Sequence, residues 1–218
     1  AYEDDINVLE NFSLHVKPGE TIALVGPTGA GKTTVINTIT RFYDVNKGSV
    51  KIDGIDVREA TLTSLRKEVG VLMQDPFIFE GTVIDNIRYG RTDATDEECI
   101  KAAKTIFADK CINKMKNGFY QELEERGSGL SAGEKQLISF ARIILKNPSV
   151  IILDEATSSI DTETENLIKE AMDIILKDKT AFIVAHRLST IRDADRILYI
   201  DNKGIAEEGT HEELMNLK

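Results

Sequence analysis

Gly26-Pro27-Thr28-Gly29-Ala30-Gly31-Lys32-Thr33 decides the reading of this 218-residue chain. The pattern is G-x-x-x-x-G-K-[ST]. It follows an apolar run, Thr21–Val25, and opens a helical stretch, the strand–loop–helix setting of a phosphate-binding loop. Glycines let successive backbone N–H groups curl around phosphate oxygens, and the helix that follows points its positive end at them. Gly26, Thr28, Gly29, Ala30, Gly31, Lys32, Thr33 and Thr34 are therefore the expected nucleotide contacts. In this reading Lys32 bridges the β- and γ-phosphates, Thr33 ligates Mg²⁺ and Thr34 touches the α-phosphate.

On either side of the loop, short apolar runs alternate with amphipathic stretches, which predicts an α/β protein. Strands are expected at Thr21–Val25, Ser49–Asp53, Val69–Met73, Ser149–Leu153, Thr180–Ala185 and Arg196–Ile200. Asp201-Asn202-Lys203-Gly204 should turn the last of these back onto Ile205–Glu208. Ser/Thr followed three residues later by Glu marks helix starts at Thr95, Ser131, Thr162 and Thr210. Between about Asp75 and Asn147 the pattern is helical. The chain thus reads as one domain, 1–218: an α/β lobe at 1–75 and 148–218, and a helical lobe inserted at 76–147.

Four of the apolar runs end in polar or glycine-rich sequence: Val25 at Gly26, Met73 at Gln74, Leu153 at Asp154-Glu155, and Ala185 at His186. The carboxyl ends of parallel strands lie along one edge, where open α/β sheets bind ligands. Asp154 at the end of a buried strand can hold Mg²⁺ through its water shell, and Glu155 beside it is placed to polarise an attacking water. His186, at another strand end, is expected to face the same edge.

Composition narrows the function. Lys+Arg 27 against Asp+Glu 37 gives a net charge of −10. That argues against nonspecific binding to nucleic acid or anionic lipid, both of which favour a basic face. The two cysteines, Cys99 and Cys111, are too few for a disulfide framework or a cysteine zinc site, and point to a reducing, cytosolic setting. Short apolar runs such as Val150-Ile151-Ile152-Leu153 fall far below the ~20 residues of a membrane span.

Together these motifs resemble the nucleotide-binding domain of an ATP-binding cassette (ABC) transporter of the exporter type, with Walker motifs at Gly26–Thr33 and at Asp154-Glu155 following Ser149–Leu153. Gln74 in Val71-Leu72-Met73-Gln74-Asp75 resembles the Q-loop, and Leu130-Ser131-Ala132-Gly133-Glu134-Lys135-Gln136 the LSGGQ signature. Ser159-Ile160-Asp161 resembles the D-loop and Ala185-His186-Arg187-Leu188-Ser189 the H-loop. Tyr2 matches the aromatic that stacks on adenine. Gly81–Ile87, and Glu122–Gly127 just before the signature, are similar to segments of exporters, the second to the X-loop that contacts the membrane domains.

The resemblance implies a P-loop ABC-ATPase fold with a mixed or parallel sheet core and an inserted helical subdomain. It also implies an ATP-binding and ATP-hydrolysing domain that powers export of a substrate across a membrane. Two such domains would close head to tail on ATP, coupled to transmembrane domains at the cytoplasmic face of the cell membrane. The implied catalytic residues are Glu155, His186, Lys32 and Gln74. Tyr2, Gln74, Ser131, Gly133 and Asp161 join the loop in binding nucleotide, and Thr33, Gln74 and Asp154 hold Mg²⁺. Two residues depart from the family pattern, Ala132 for glycine and Glu134 for glutamine, so the signature lent to a partner is expected to be weakened. Phe77 and Phe79 are open to two readings, ordinary packing or a surface toward the membrane domains. Two rival functions remain: a module that holds ATP but scarcely hydrolyses it, and a non-transport ABC ATPase acting on nucleic acid or ribosomes.

Overall fold

β1 (Thr21–Val25) is built from residues that suit burial on both faces: Ile22, Ala23 and Leu24 are fully buried. The computed structural model describes residues 8–73, 75–154, 162–184 and 188–216. In chain order β1 is followed by α1 (Lys32–Ile39), β2 (Lys51–Ile52), β3 (Ile55–Asp56), α2 (Leu62–Glu68) and β4 (Val69–Leu72). Then come β5 (Gly81–Thr82), α3 (Val83–Arg88), α4 (Asp96–Thr105), α5 (Asp109–Ile112), β6 (Glu122–Leu123) and α6 (Ala132–Lys146). The chain closes with β7 (Val150–Asp154), α7 (Thr162–Leu176), β8 (Thr180–Val184), α8 (Leu188–Arg192), β9 (Arg196–Asp201), β10 (Gly204–Gly209) and α9 (His211–Met215).

Packing divides the described residues into two units. The first draws on Ala1–Val69, Ser149–Glu155 and Asp178–Lys218. Its strands run in the order β10-β9-β1-β8-β7. β1 lies parallel to β8 and β9, β7 lies parallel to β8, and β10 closes the edge antiparallel to β9. The sheet is therefore mixed but mainly parallel, as the alternating pattern requires. Asn202 and Lys203 both take positive φ, 46° and 68°, the backbone of a tight two-residue hairpin between β9 and β10.

One expected strand folds differently. Ser49–Asp53 does not join the main sheet; only Lys51 and Ile52 are extended, and they pair antiparallel with Ile55 and Asp56. The reason is local. Asp53 and Gly54 take φ of 51° and 81°, a reversing turn that an Asp-Gly pair favours.

The second unit draws on Gly70–Pro148 and Ala156–Lys177. α6 is its spine: Leu137, Ile138, Phe140, Ala141 and Ile143 are buried along one side, and α3, α4 and α7 pack against it. Ile78, Ile87, Ile106 and Ile112 complete a dry core. β5 and β6 form a two-residue antiparallel ladder, Gly81 opposite Leu123 and Thr82 opposite Glu122. Capping boxes start α4 at Thr95/Glu98, α6 at Ser131/Glu134 and α9 at Thr210/Glu213, as the spacing predicts. The fourth expected box, Thr162/Glu165, involves a side chain outside the described residues. A further box, Thr82/Asp85, starts α3.

Candidate functional site

In the first unit β1 leads directly into the glycine loop. Gly26 takes φ 143°, and a Cβ there would sit 2.2 Å from the Ile200 carbonyl oxygen of β9. Only glycine lets the loop leave the sheet at this point. The loop closes a turn through the Ala30 amide, which donates to the Pro27 carbonyl at 3.2 Å.

Gly31 is the N-cap of α1, with φ 109° and no side chain to cap the first turn. The amides at the start of α1 are thereby left for an anion, at the positive end of the helix dipole. Val35, Ile36 and Ile39 bury the other side of α1 and hold its N-terminus in place. Lys32 folds back over the loop, its Nζ donating to the carbonyls of Gly26 at 2.6 Å and Pro27 at 3.0 Å. Thr28, Gly29 and Thr33 are exposed along the loop and first turn; Ala30 and Thr34 are half-buried.

Strand register brings an acid to the same edge. Leu24 of β1 sits opposite Val184 of β8, and Val184 opposite Asp154 of β7. Asp154 therefore lies two strands from the end of β1, about 10 Å at normal strand spacing. It is half-buried at the strand's carboxyl end, level with Leu24, two residues before Gly26. Among the described residues, no three His, Cys, Asp or Glu side chains gather as a metal cage. One hydroxyl, Thr33, and one carboxylate, Asp154, suit Mg²⁺, which keeps several waters and takes most other ligands from phosphate oxygens.

In the second unit the signature serine begins α6. Ser131 Oγ accepts from the Glu134 amide at 3.2 Å and donates to the Glu134 carboxylate at 3.0 Å. The same carboxylate oxygen accepts from the Ser131 amide at 2.8 Å. Both donors of Ser131 are thus directed at Glu134. Ala132 is exposed and Gly133 buried in the first turn. Tyr2, Gln74, Glu155, Asp161 and His186 lie outside the described residues.

The same unit holds two features that sequence reasoning passed over. Asn86 is fully buried: its Nδ2 donates to the Phe79 and Thr82 carbonyls at 2.9 and 3.0 Å, and its Oδ1 accepts from the Phe79 amide at 2.9 Å. Arg142, on α6, donates from Nε to the Asn86 carbonyl at 2.7 Å, from Nη1 to the Phe77 carbonyl at 2.7 Å and from Nη2 to Asn86 Oδ1 at 2.6 Å. The available signal was an arginine set inside Ile138-Ser139-Phe140-Ala141-Arg142-Ile143-Ile144-Leu145. Burial pushes its pKa down to about 10. Burial likewise pushes the thiol of half-buried Cys111 up to about 11, which keeps it protonated and unreactive. Phe77 and Phe79 are partly exposed and meet edge to face at 5.0 Å, and Tyr89 lies 4.2 Å from Phe79.

A family model described as ABC transporter matches residues 9–158. The chain is 52% identical over 215 residues to the ABC transporter ATP-binding protein YknV of Bacillus subtilis (strain 168), covering 99% of this chain and 36% of that protein. It is 46% identical over 215 residues to the fatty acid ABC transporter ATP-binding/permease protein of Mycobacterium bovis, covering 99% of this chain and 34% of that one. A solved structure of a bacterial Atm1-family ABC exporter with ATP bound superposes with a TM-score of 0.91 at 41% identity, over 100% of this chain and 38% of that chain. The chain thus spans little more than a third of the length of these relatives. Loop, fold and kinship agree: the chain belongs to the ABC transporter family and has its P-loop ABC-ATPase fold, matching the ATP-binding portion of these relatives.

Proposed function

We propose that ATP is held by the loop from Gly26 to Thr34 and hydrolysed to ADP and phosphate at the carboxyl edge of the first unit's sheet. The observation that carries this is the register that sets Asp154 two strands from the loop. Lys32 and the amides of Gly29 to Thr33 neutralise charge on the β- and γ-phosphates, the main source of rate in phosphoryl transfer. Mg²⁺, held by Thr33, Gln74 and Asp154, would supply further neutralisation of the phosphate oxygens when bound. Glu155 takes the proton of the attacking water as the new O–P bond forms and the γ-phosphate leaves ADP. His186 holds the γ-phosphate, and Tyr2 stacks on adenine.

In this reading two such domains pair head to tail, with Ser131, Gly133 and Asp161 of one facing the nucleotide of the other. Glu134 draws on both Ser131 donors, so the signature lent to the facing copy is weaker than one with glutamine there. The domain's place is the cytoplasmic face of the cell membrane, where the exposed aromatics Phe77 and Phe79 and the segment Glu122–Gly127 meet transmembrane domains. ATP closure and hydrolytic opening then drive export of a substrate. The permease portion in the name of the mycobacterial relative supports such a partner. The charge of −10 supports no nucleic-acid partner.

Phosphate release measured at rising protein concentration tests this. The rate should climb faster than linearly and vanish with Lys32→Ala. A linear rate that Lys32→Ala leaves intact contradicts it.

A further inference from the structure

The second unit half-buries a cation, Arg142, that the ATPase chemistry does not use. Among the described residues no carboxylate pairs with Arg142; its guanidinium is met by two carbonyls, one side-chain amide oxygen and, 5.5 Å away, the face of Phe79. An apolar side chain of similar length would fill this space without the desolvation a buried charge suffers. What the guanidinium adds is direction: a planar fork fixes three acceptors at once, which no point donor does. Those acceptors belong to Phe77 and Asn86, so the fork ties the segment after residue 74, and α3, to the C-terminal third of α6.

Two more contacts tie the same segments to the stretch that leads into α6, and a third ties them to α6 itself. The Arg126 amide donates to the Ile78 carbonyl at 2.8 Å, and the Val83 amide to the Gln121 carbonyl at 3.0 Å. Gly90, beyond α3, approaches so closely that a Cβ would lie 2.2 Å from the Arg142 carbonyl oxygen. α6 starts at Ser131, eleven residues before Arg142, or about 16 Å along a rigid helix. A rigid helix clamped in its C-terminal third holds its N-terminus in a fixed direction.

We propose that Arg142 is a positioning residue for the ATPase reaction: by clamping Phe77 and Asn86 to α6 it sets where Ser131 is presented to the nucleotide of a second copy. This rests on the head-to-tail reading above. The whole protein with Arg142→Met should bind ATP as wild type does and turn over ~10- to 100-fold more slowly, the penalty of a slightly misplaced group.

The decisive measurement mixes Arg142→Met protein with Lys32→Ala protein. A mixed pair joins one intact phosphate loop to one intact signature, so turnover should rise well above the sum of the two variants alone. No recovery on mixing, with wild type active, overturns the proposal and leaves the parent reading standing. An inactive wild type overturns both. Should Arg142→Met not fold, Arg142→Lys keeps the charge without the fork; it should be slow alone and recover on mixing, and full activity of Arg142→Lys alone contradicts the clamp.

Discussion

Gly26 shows how much of the site rests on a missing atom. Its φ of 143° and the 2.2 Å approach of the Ile200 carbonyl oxygen leave no room for a methyl group. Gly26→Ala should therefore cost about 1–3 kcal/mol of stability through overpacking against β9. For a domain of this size, each kcal/mol lowers the melting temperature by roughly 2–4 °C. ATP affinity should fall as well, because the loop must leave the sheet elsewhere. A thermal melt with an ATP titration checks both, and a variant with unchanged stability contradicts the close approach. Gly26 itself was legible from the G-x-x-x-x-G-K-[ST] spacing. Its neighbour Ile200, 174 residues away in sequence, was not, since contacts across a sheet follow from topology rather than from local pattern.

Short elements answer to side-chain electrostatics. In the β2–β3 hairpin the Asp56 carboxylate takes the Arg58 guanidinium at 2.7 and 3.0 Å and the Arg58 amide at 2.9 Å. The Arg58 hydrogen bonds hold its pKa down to about 2, from an ordinary 3.8. A carboxylate with a lowered folded-state pKa stabilises fully above the unfolded value and loses that contribution as pH falls through the folded one. Stability attributable to Asp56 should thus be intact above about pH 4 and drain away toward pH 2. Asp56→Asn should flatten this part of the acid-unfolding curve; an unchanged curve contradicts the pairing.

The same hairpin marks a limit of sequence reading. Residues 49–53 look like a sheet strand until Asp53-Gly54 is weighed as a turn. Three helix starts were legible from Ser/Thr and Glu alone, because a capping box is a contact three residues long. The Thr82 box was missed because aspartate takes the glutamate's place.

In the whole molecule, the parallel sheet was legible because apolar runs ending in polar residues have few other ways to fold. The arrangement of the second unit was not: Arg142 and Asn86 join segments 56 residues apart, and no short pattern announces such a meeting. The Ser131/Glu134 capping box was legible from its spacing, but not that the Ser131 hydroxyl also donates to the same carboxylate. Function follows from the first unit's geometry, where a loop rich in amides and a strand-end acid share one edge. That edge is placed to strip a phosphate from a nucleotide. In the proposed reaction Glu155 is the general base, and the most direct measurement is ATP turnover by Glu155→Gln, with ATP binding followed in the same sample. The account predicts a loss of roughly 10²- to 10⁴-fold, the usual worth of general base help, with ATP still bound. Turnover near the wild-type rate would contradict it.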